Sequence, residues 1–484
     1  MTRIAVVGGG IGGLATAYRL LERHRAAGTP ATITIYEAGQ RWGGVIASSH
    51  ESGFTLEHGP DSILRSKPAG LKLITDLGLE GDLQPTEENA RRSLIARGRR
   101  LLPIPEGLYL LAPGKWWPFL CSPLMSWPGK LRMALDLFLP RRDPLQAEES
   151  LADFVRRRLG REALERIAQP MISGIYTADP EQLSLLSTMP QFLEMEQTHR
   201  SLLLAMRARA RDPQIAAASG PRYGLFTSLR GGLQRLTDRL VEVLEPHCTM
   251  KLGAPVALAV RDEGRFHLTF ADGHHEEHDQ LVLAGPANAM APIVRGLDQV
   301  LGYLLATVPY AGVACINLAF RREQLPDLPQ AAGFVVPAVE KRITIACTFA
   351  DRKYGGRAPN THVLLRAFVG GALNEAALER DDATLVEGVL SDLRDLLGLQ
   401  GQPLFARVHR WPKAMAQFVL GHSEQLKVIR VREGIVPGLA LVGNAYEGVG
   451  IPDLAAQAEA AAERLTSGRT PARGDSDATR TETA

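Results

Sequence analysis

Ile4-Ala5-Val6-Val7-Gly8-Gly9-Gly10-Ile11-Gly12-Gly13-Leu14-Ala15-Thr16-Ala17-Tyr18 decides the fold. Four apolar residues before the glycines read as a fully buried strand, and the residues after them carry an apolar helical face. A G-x-G-x-x-G spacing between strand and helix is the setting a dinucleotide fingerprint requires. Gly8 permits the tight turn, Gly10 lets backbone approach a pyrophosphate, and Gly13 lets the helix pack close to the sheet. Gly9, Ile11 and Gly12 complete the loop, whose helix N-terminus offers free N–H groups and partial positive charge to phosphates. Thr32-Ile33-Thr34-Ile35-Tyr36 reads as the second strand and ends at Glu37. A carboxylate there accepts from ribose hydroxyls and repels a 2′-phosphate, which excludes NADP.

Glu37-Ala38-Gly39-Gln40-Arg41-Trp42-Gly43-Gly44 follows. This Glu-x3-Arg-x-Gly-Gly arrangement resembles the extension of the amine-oxidase-like flavoproteins. The resemblance implies FAD, held non-covalently, with Arg41 as a phosphate partner, Gly43 and Gly44 leaving room for the ligand, and Ala38 and Val45 also binding it. The fold class expected is α/β: a Rossmann-type FAD-binding domain, a mixed-sheet substrate domain and a helical, membrane-facing subdomain.

The bulk numbers are those of a globular protein. At 484 residues the chain supports two or three domains, and 45% hydrophobic with 22% charged residues is ordinary. A formal charge of +2 argues against a bulk nucleic-acid binder. Cys121, Cys248, Cys315 and Cys347 form no C-x-x-C, so neither a zinc site nor a disulfide framework is expected. The first strand begins at once and no apolar run approaches membrane-spanning length, so the expectation is a cytoplasmic protein, peripheral on the inner face of the membrane at most.

Phe54-Thr55-Leu56-Glu57-His58-Gly59-Pro60-Asp61-Ser62 reads as a strand ending in a Gly-Pro turn. It strongly resembles the Glu-x-Gly-Pro-x-Ser segment of protoporphyrinogen and coproporphyrinogen oxidases, where the backbone lies along the flavin. Pro170-Met171-Ile172-Ser173-Gly174-Ile175-Tyr176-Thr177-Ala178-Asp179-Pro180-Glu181-Gln182-Leu183-Ser184 is similar to a substrate-domain motif of that family. Arg407-Val408-His409-Arg410-Trp411-Pro412-Lys413-Ala414-Met415 resembles its Trp-Pro element near the flavin. Gly443-Asn444-Ala445-Tyr446-Glu447-Gly448-Val449-Gly450-Ile451-Pro452-Asp453 resembles the loop and helix start that close its FAD site.

The resemblance implies further residues. Gly59, Pro60, Asp61, Ser62, Trp411, Gly443, Asn444, Val449, Gly450 and Ile451 would line FAD, and Val256 would pair its backbone with adenine. Arg92 would bind a substrate propionate, and Met171, Gly174, Val335 and Phe368 would surround a macrocycle. No catalytic side chain is implied. The implied activity is oxygen-dependent oxidation of protoporphyrinogen IX to protoporphyrin IX, with coproporphyrinogen III as the alternative substrate. Implied partners are the porphyrinogen, an electron acceptor, a haem-pathway enzyme that hands over or receives the tetrapyrrole, and a second copy of the chain. An amine oxidase or carotenoid desaturase would leave the 170–184 motif unexplained, and a prenyl-binding relative would need no complete flavin site.

Other stretches carry weaker signals. Residues 91–142 hold ten Lys/Arg against Glu106 and Asp136, with Trp116, Trp117 and Trp127, a composition that fits a surface on anionic lipid or a core excursion with a basic rim. Residues 148–212 look wholly helical, and Arg156-Arg157-Arg158 reads as a solvated face. Leu252–Leu258 reads as a strand. His274, His275 and His278 read as part of a polar hairpin, not a metal site. Strands near 311–320, 331–337, 343–349 and 363–369, with a helix over 383–397, predict a second, antiparallel sheet. The expected divisions are 1–90, 213–290 and 411–466 for FAD, 91–212 helical, 291–410 for substrate, and a disordered tail at 467–484.

Overall fold

The computed structural model describes residues 1–143, 145–211 and 226–467. It divides into two compact units. The predicted tail lies outside the described residues except for Ser467, which ends the last helix.

The first unit comprises Met1–Gly44, Thr237–Thr307 and the chain from Gln425 on. Its sheet has five parallel strands in the spatial order Thr249–Lys251, Ala31–Tyr36, Thr2–Val7, Gln280–Ala284, Leu439–Val442. Thr2–Val7 is central, so Ile4, Ala5, Val6 and Val7 are buried and the run is apolar without alternation. Helix Ile11–Ala26 packs against the terminal helix Ile451–Ser467, with Arg19 and Arg23 both reaching Glu459, at 2.8 and 2.7 Å. The strand expected at Leu252–Leu258 is displaced: the chain turns at Gly253, whose φ is +62°, and the strand is Val256–Asp262. Gly253 and Ala254 donate instead to the carbonyls of Gly39 and Glu37, both at 2.9 Å. Of the three histidines, His278 is buried against the Tyr36 hydroxyl, 2.9 Å away.

The second unit comprises Val45–Leu236 and Val308–Glu424. Its seven-stranded sheet runs Phe405–Ala416, Tyr310–Arg321, His362–Gly370, Thr344–Phe349, Gly333–Val335, Ser93–Arg97, Arg100–Pro103. The sheet is mixed, because Gly333–Val335 pairs in parallel with Ser93–Arg97. One face packs under helix Asp382–Leu397, where Leu385, Val389 and Leu393 meet Ile316, Leu318 and Leu365. The other face carries the candidate site. Beside the sheet, helices Leu151–Arg158, Gln169–Tyr176, Pro190–His199 and Leu202–Arg211 enclose a separate apolar core. That segment is not wholly helical: residues 177–184 run through a turn closed on the Asp179 carbonyl, with Ser150 bridging Ser184 and Leu183 bridging Val419. A π-helical turn, Leu164–Ala168, feeds helix Gln169–Tyr176, a placement common at functional sites.

Arg156-Arg157-Arg158 is a solvated face only at its first member. Arg158 and Asp136 are both 0% exposed. The Arg158 Nε donates to Asp136 Oδ1 at 2.6 Å, and its terminal nitrogens donate to the carbonyls of Pro140 (2.9 Å) and Arg200 (2.5 Å). Arg157 forks between Glu149 and Glu196. Helical spacing explains it: Leu151, Phe154, Val155 and Arg158 share one stripe, so the last turns its guanidinium into the bundle. Among the described residues, no helix is long and apolar enough to cross a membrane.

Candidate functional site

In the first unit the glycine loop separates into positions the protein needs and one it leaves open. A Cβ on Gly8, where φ is +112°, would lie 1.9 Å from the Ala284 carbonyl oxygen, and one on Gly13 would lie 1.9 Å from that of Gly8. A Cβ on Gly10 would meet nothing closer than Gly44 Cα at 3.9 Å. The space above Gly10 is therefore free for a ligand. Gly10 caps helix Ile11–Ala26 with no side-chain bond and no acid in the first turn, which leaves N–H groups directed at that space.

Glu37 stands at the end of its strand as expected, but it also holds the loop. Its carboxylate accepts the N–H groups of Gly9 and Gly39, both at 2.7 Å. Each oxygen retains a lone pair for a ribose hydroxyl. Arg41 donates to the carbonyls of Trp42 (3.0 Å) and Gly44, and burial lowers its pKa. Gly10 bridges Gly43, which brings the second glycine pair against the first. Val256 pairs with Phe270 at the start of the strand that follows the Gly253–Ala254 contact with Glu37 and Gly39. At the far end Asp453 accepts the Gly450 N–H at 3.0 Å and shapes the turn from Asn444 through Val449 into Ile451. A dinucleotide cofactor fits these residues.

In the second unit the open face of the seven-stranded sheet holds segment 57–62 through its carbonyls. Asn317 Nδ2 donates to the Glu57 carbonyl (3.0 Å), Trp411 Nε1 to that of His58 (2.7 Å), and Arg366 to that of Gly59. Three successive carbonyls are thus fixed by three different strands. Lys353 Nζ reaches both Asp61 oxygens at 2.9 and 3.0 Å and Ser62 Oγ at 2.8 Å. Arg357 pairs with Glu57 at 3.1 Å. Burial alone would raise the Asp61 carboxyl, but Lys353 and Arg366 outweigh it and hold Asp61 below its ordinary range. For Glu57 burial wins over Arg357 and Ser48, and its pKa is raised. Gly59 is obligatory, since a Cβ there would lie 1.8 Å from the Val45 carbonyl oxygen.

The register lines up Ile95, Val335, Ala346, Phe368, Cys315 and His409 as one row across six strands on that face. His58 stacks on His409 with centroids 3.6 Å apart, and Arg366 lies under Phe368 at 4.8 Å. At the other end of the row a Cβ on Gly174 would stand 3.5 Å from Val335 Cγ1. Val335 and Phe368 therefore share a face, and Gly174 meets that face at Val335. Met171, three residues before Gly174, is buried in the helix. Arg92 is exposed at the foot of strand Ser93–Arg97, where its carbonyl accepts from Ala332 N–H at 2.8 Å. Arg91 is half-buried and pairs with Glu88 at 3.5 Å. Lys353, Arg357, Arg366 and Asn317 were missed by the sequence reading. Arg366 had a detectable signal: it is the one Lys, Arg, Asp or Glu in the otherwise apolar run of strand His362–Gly370.

Replacing Glu37 by alanine should remove a ribose acceptor and free the Gly9 and Gly39 N–H groups. Cofactor affinity should fall by about 1–3 kcal/mol, measured by titrating apoprotein with FAD. Denatured wild-type protein should release free FAD; flavin retained by the chain would contradict a non-covalent site.

Residues 11–466 match the family described as flavin containing amine oxidoreductase. The chain is 33% identical over 459 residues to the coproporphyrinogen III oxidase of Bacillus subtilis strain 168, covering 95% of this chain and 96% of that one. It is 30% identical over 480 residues to protoporphyrinogen oxidase 1, chloroplastic, of Arabidopsis thaliana, covering 93% and 85%. A solved structure of a candidate protoporphyrinogen oxidase from Exiguobacterium sp. 255-15 has a TM-score of 0.84 at 32% identity, covering 97% and 99%.

Proposed function

This chain belongs to the flavin containing amine oxidoreductases, in their porphyrinogen oxidase branch, and from that premise we propose that it aromatises a porphyrinogen to a porphyrin. Six electrons leave the macrocycle in three two-electron rounds. FAD supplies the hydride acceptor when bound, and oxygen is the acceptor expected to restore it. The observation that carries the reading is the open sheet face. Gly174, Val335 and Phe368 offer an apolar surface of macrocycle kind at one end, and segment 57–62 is fixed through its carbonyls at the other. Pyrroles already activate the substrate C–H bonds, so the chain's work is orientation, electrostatics and exclusion of water. Protoporphyrinogen IX and coproporphyrinogen III are both supported, since relatives of both names span nine tenths of the chain. Assaying the purified protein with each porphyrinogen tests the reading; no porphyrin from either would overturn it.

Arg92 is proposed to hold a substrate carboxylate. An ion pair present in ground and transition states is uniform binding, so Arg92→Ala should raise KM about ten-fold or more, from ~1.5–3 kcal/mol of charge-assisted hydrogen bonding, with kcat and FAD content little changed. Arg91→Ala is the paired control. A wild-type KM in the Arg92 variant would mean the carboxylate is held elsewhere.

Reversible contact with a membrane surface through residues 91–142 is proposed on an apolar stripe. Trp127, Leu131, Leu135 and Phe138 are exposed and follow one another at helical spacing, with Trp117 also exposed. Several of the basic residues are engaged within the protein: Lys130 with the carbonyls of Leu120 and Ser122, Arg132 with those closing helix Leu151–Arg158, Arg142 with Glu149. Flotation with liposomes should therefore depend more on Trp127 and Phe138 than on salt. Wild-type binding by a Trp127→Ser, Phe138→Ser protein, or none by the wild type, would dismiss the idea.

A further inference from the structure

A cavity of about 390 Å³ opens beside the candidate macrocycle surface, within the second unit. Its wall draws on the elements that build that surface: Ser173 of helix Gln169–Tyr176, Val336 just past strand Gly333–Val335, and Thr344 and Ile345 of strand Thr344–Phe349. The rest of its lining is unlike a macrocycle surface. It contains Lys341, Arg342 and Arg380 and no Asp or Glu. Arg342 is spoken for, paired with Asp392 at 3.1 Å and Asp395 at 2.9 Å. Lys341 and Arg380 are exposed, and neither makes an ion pair among the described residues. Thr344, 1% exposed, belongs to the same wall, and its buried hydroxyl has no hydrogen-bond partner among the described residues. Two non-glycine residues of the lining, Thr177 and Lys341, are held at φ of +50° and +54°, a conformation that persists only where the surroundings impose it.

Unpaired cations with no acid opposite, plus an unsatisfied buried hydroxyl, describe a receptor for carboxylates. We propose that this cavity seats propionate groups of a tetracarboxylate porphyrinogen, with Lys341 and Arg380 as the cations that distinguish it from a dicarboxylate one. The inference rests on the porphyrinogen reading and makes it more specific. Coproporphyrinogen III carries four propionates, whereas protoporphyrinogen IX has vinyl groups in place of two of them. Vinyl groups gain nothing from cations whose water must be stripped, so the cavity favours the former.

The test uses flavin-loaded protein with Lys341→Gln and Arg380→Gln, singly and together, assayed on both porphyrinogens. Binding of the two porphyrin products is followed in parallel by fluorescence quenching. The double variant should lose about ten-fold or more in affinity for the tetracarboxylate, chiefly in KM. Protoporphyrinogen kinetics should stay within about two-fold. Lys341→Arg should restore most of the loss. Asn374→Asp, which adds a carboxylate to the same wall, should weaken the tetracarboxylate without removing any cation, and it serves if the double variant does not fold. Equal losses on both substrates, or none on either, would overturn the assignment. So would a wild-type protein that oxidises protoporphyrinogen IX but not coproporphyrinogen III, although the general reading would stand. Failure of the wild type on both substrates would instead remove that general reading.

Discussion

Arg158→Ala is expected to destabilise the folded protein by about 3–5 kcal/mol, the usual cost of breaking a fully buried ion pair. The arginine supplies donors to Asp136, Pro140 and Arg200, and its removal strands a carboxylate that is 0% exposed. Asp136 would keep the Ser201 hydroxyl at 2.6 Å and the Leu203 N–H at 3.1 Å, which is not enough to replace a counter-ion. Denaturant unfolding should show a lower midpoint with the slope retained. A double variant, Arg158→Met with Asp136→Leu, should recover a large part of the loss because it removes both charges from the interior. A single variant within about 0.5 kcal/mol of wild type would mean that water reaches the pair.

That pair marks the boundary of what the sequence discloses. The first unit was legible because its information is local: strand, glycines, helix, strand and Glu37 follow one another, and the space above Gly10 follows from their spacing. The stripe Leu151, Phe154, Val155, Arg158 was equally local, yet three consecutive arginines suggest solvent unless helical phase is weighed against charge. The second unit is different in kind. Ser93–Arg97 lies beside Gly333–Val335, and Glu57 beside Arg357, pairings hundreds of residues apart that no local pattern dictates. The strands near 311–369 and the covering helix were readable from alternation and length, but the parallel pairing that makes the sheet mixed was not. The cavity at Lys341 and Arg380 could not be foreseen, since it forms where the ends of separate strands and a helix converge.

The same non-local logic makes Arg366 the most consequential residue of the open face. It ties the Gly59 carbonyl, one Asp61 oxygen at 3.0 Å and the Cys315 sulfur at 3.1 Å from a single planar group. Asn317 and Trp411 each hold one neighbouring carbonyl, so their removal by Asn317→Ala or Trp411→Phe should cost about 1–1.5 kcal/mol apiece. Arg366→Leu removes three attachments and leaves the largely buried Asp61 carboxylate with Lys353 as its one cation and the Ser62 hydroxyl at 2.6 Å, so a loss of about 3–5 kcal/mol is expected. FAD occupancy should fall with it if segment 57–62 lies along the flavin. Arg366→Lys should recover part of the stability but less of the occupancy, because an ammonium cannot span the three positions that the guanidinium fork reaches. Acid sensitivity provides an independent reading. Asp61 is held below its unperturbed 3.8 in the folded protein, so its contribution is complete above that pH and lost as pH falls below it. Arg366→Leu lets the folded-state value rise, which shrinks that contribution at neutral pH and should move acid unfolding to higher pH. The measurements are the flavin-to-protein absorbance ratio, the visible spectrum, and unfolding followed against pH. Wild-type flavin content and spectrum in a protein that is merely less stable would mean that segment 57–62 keeps its place without Arg366, which then serves packing alone.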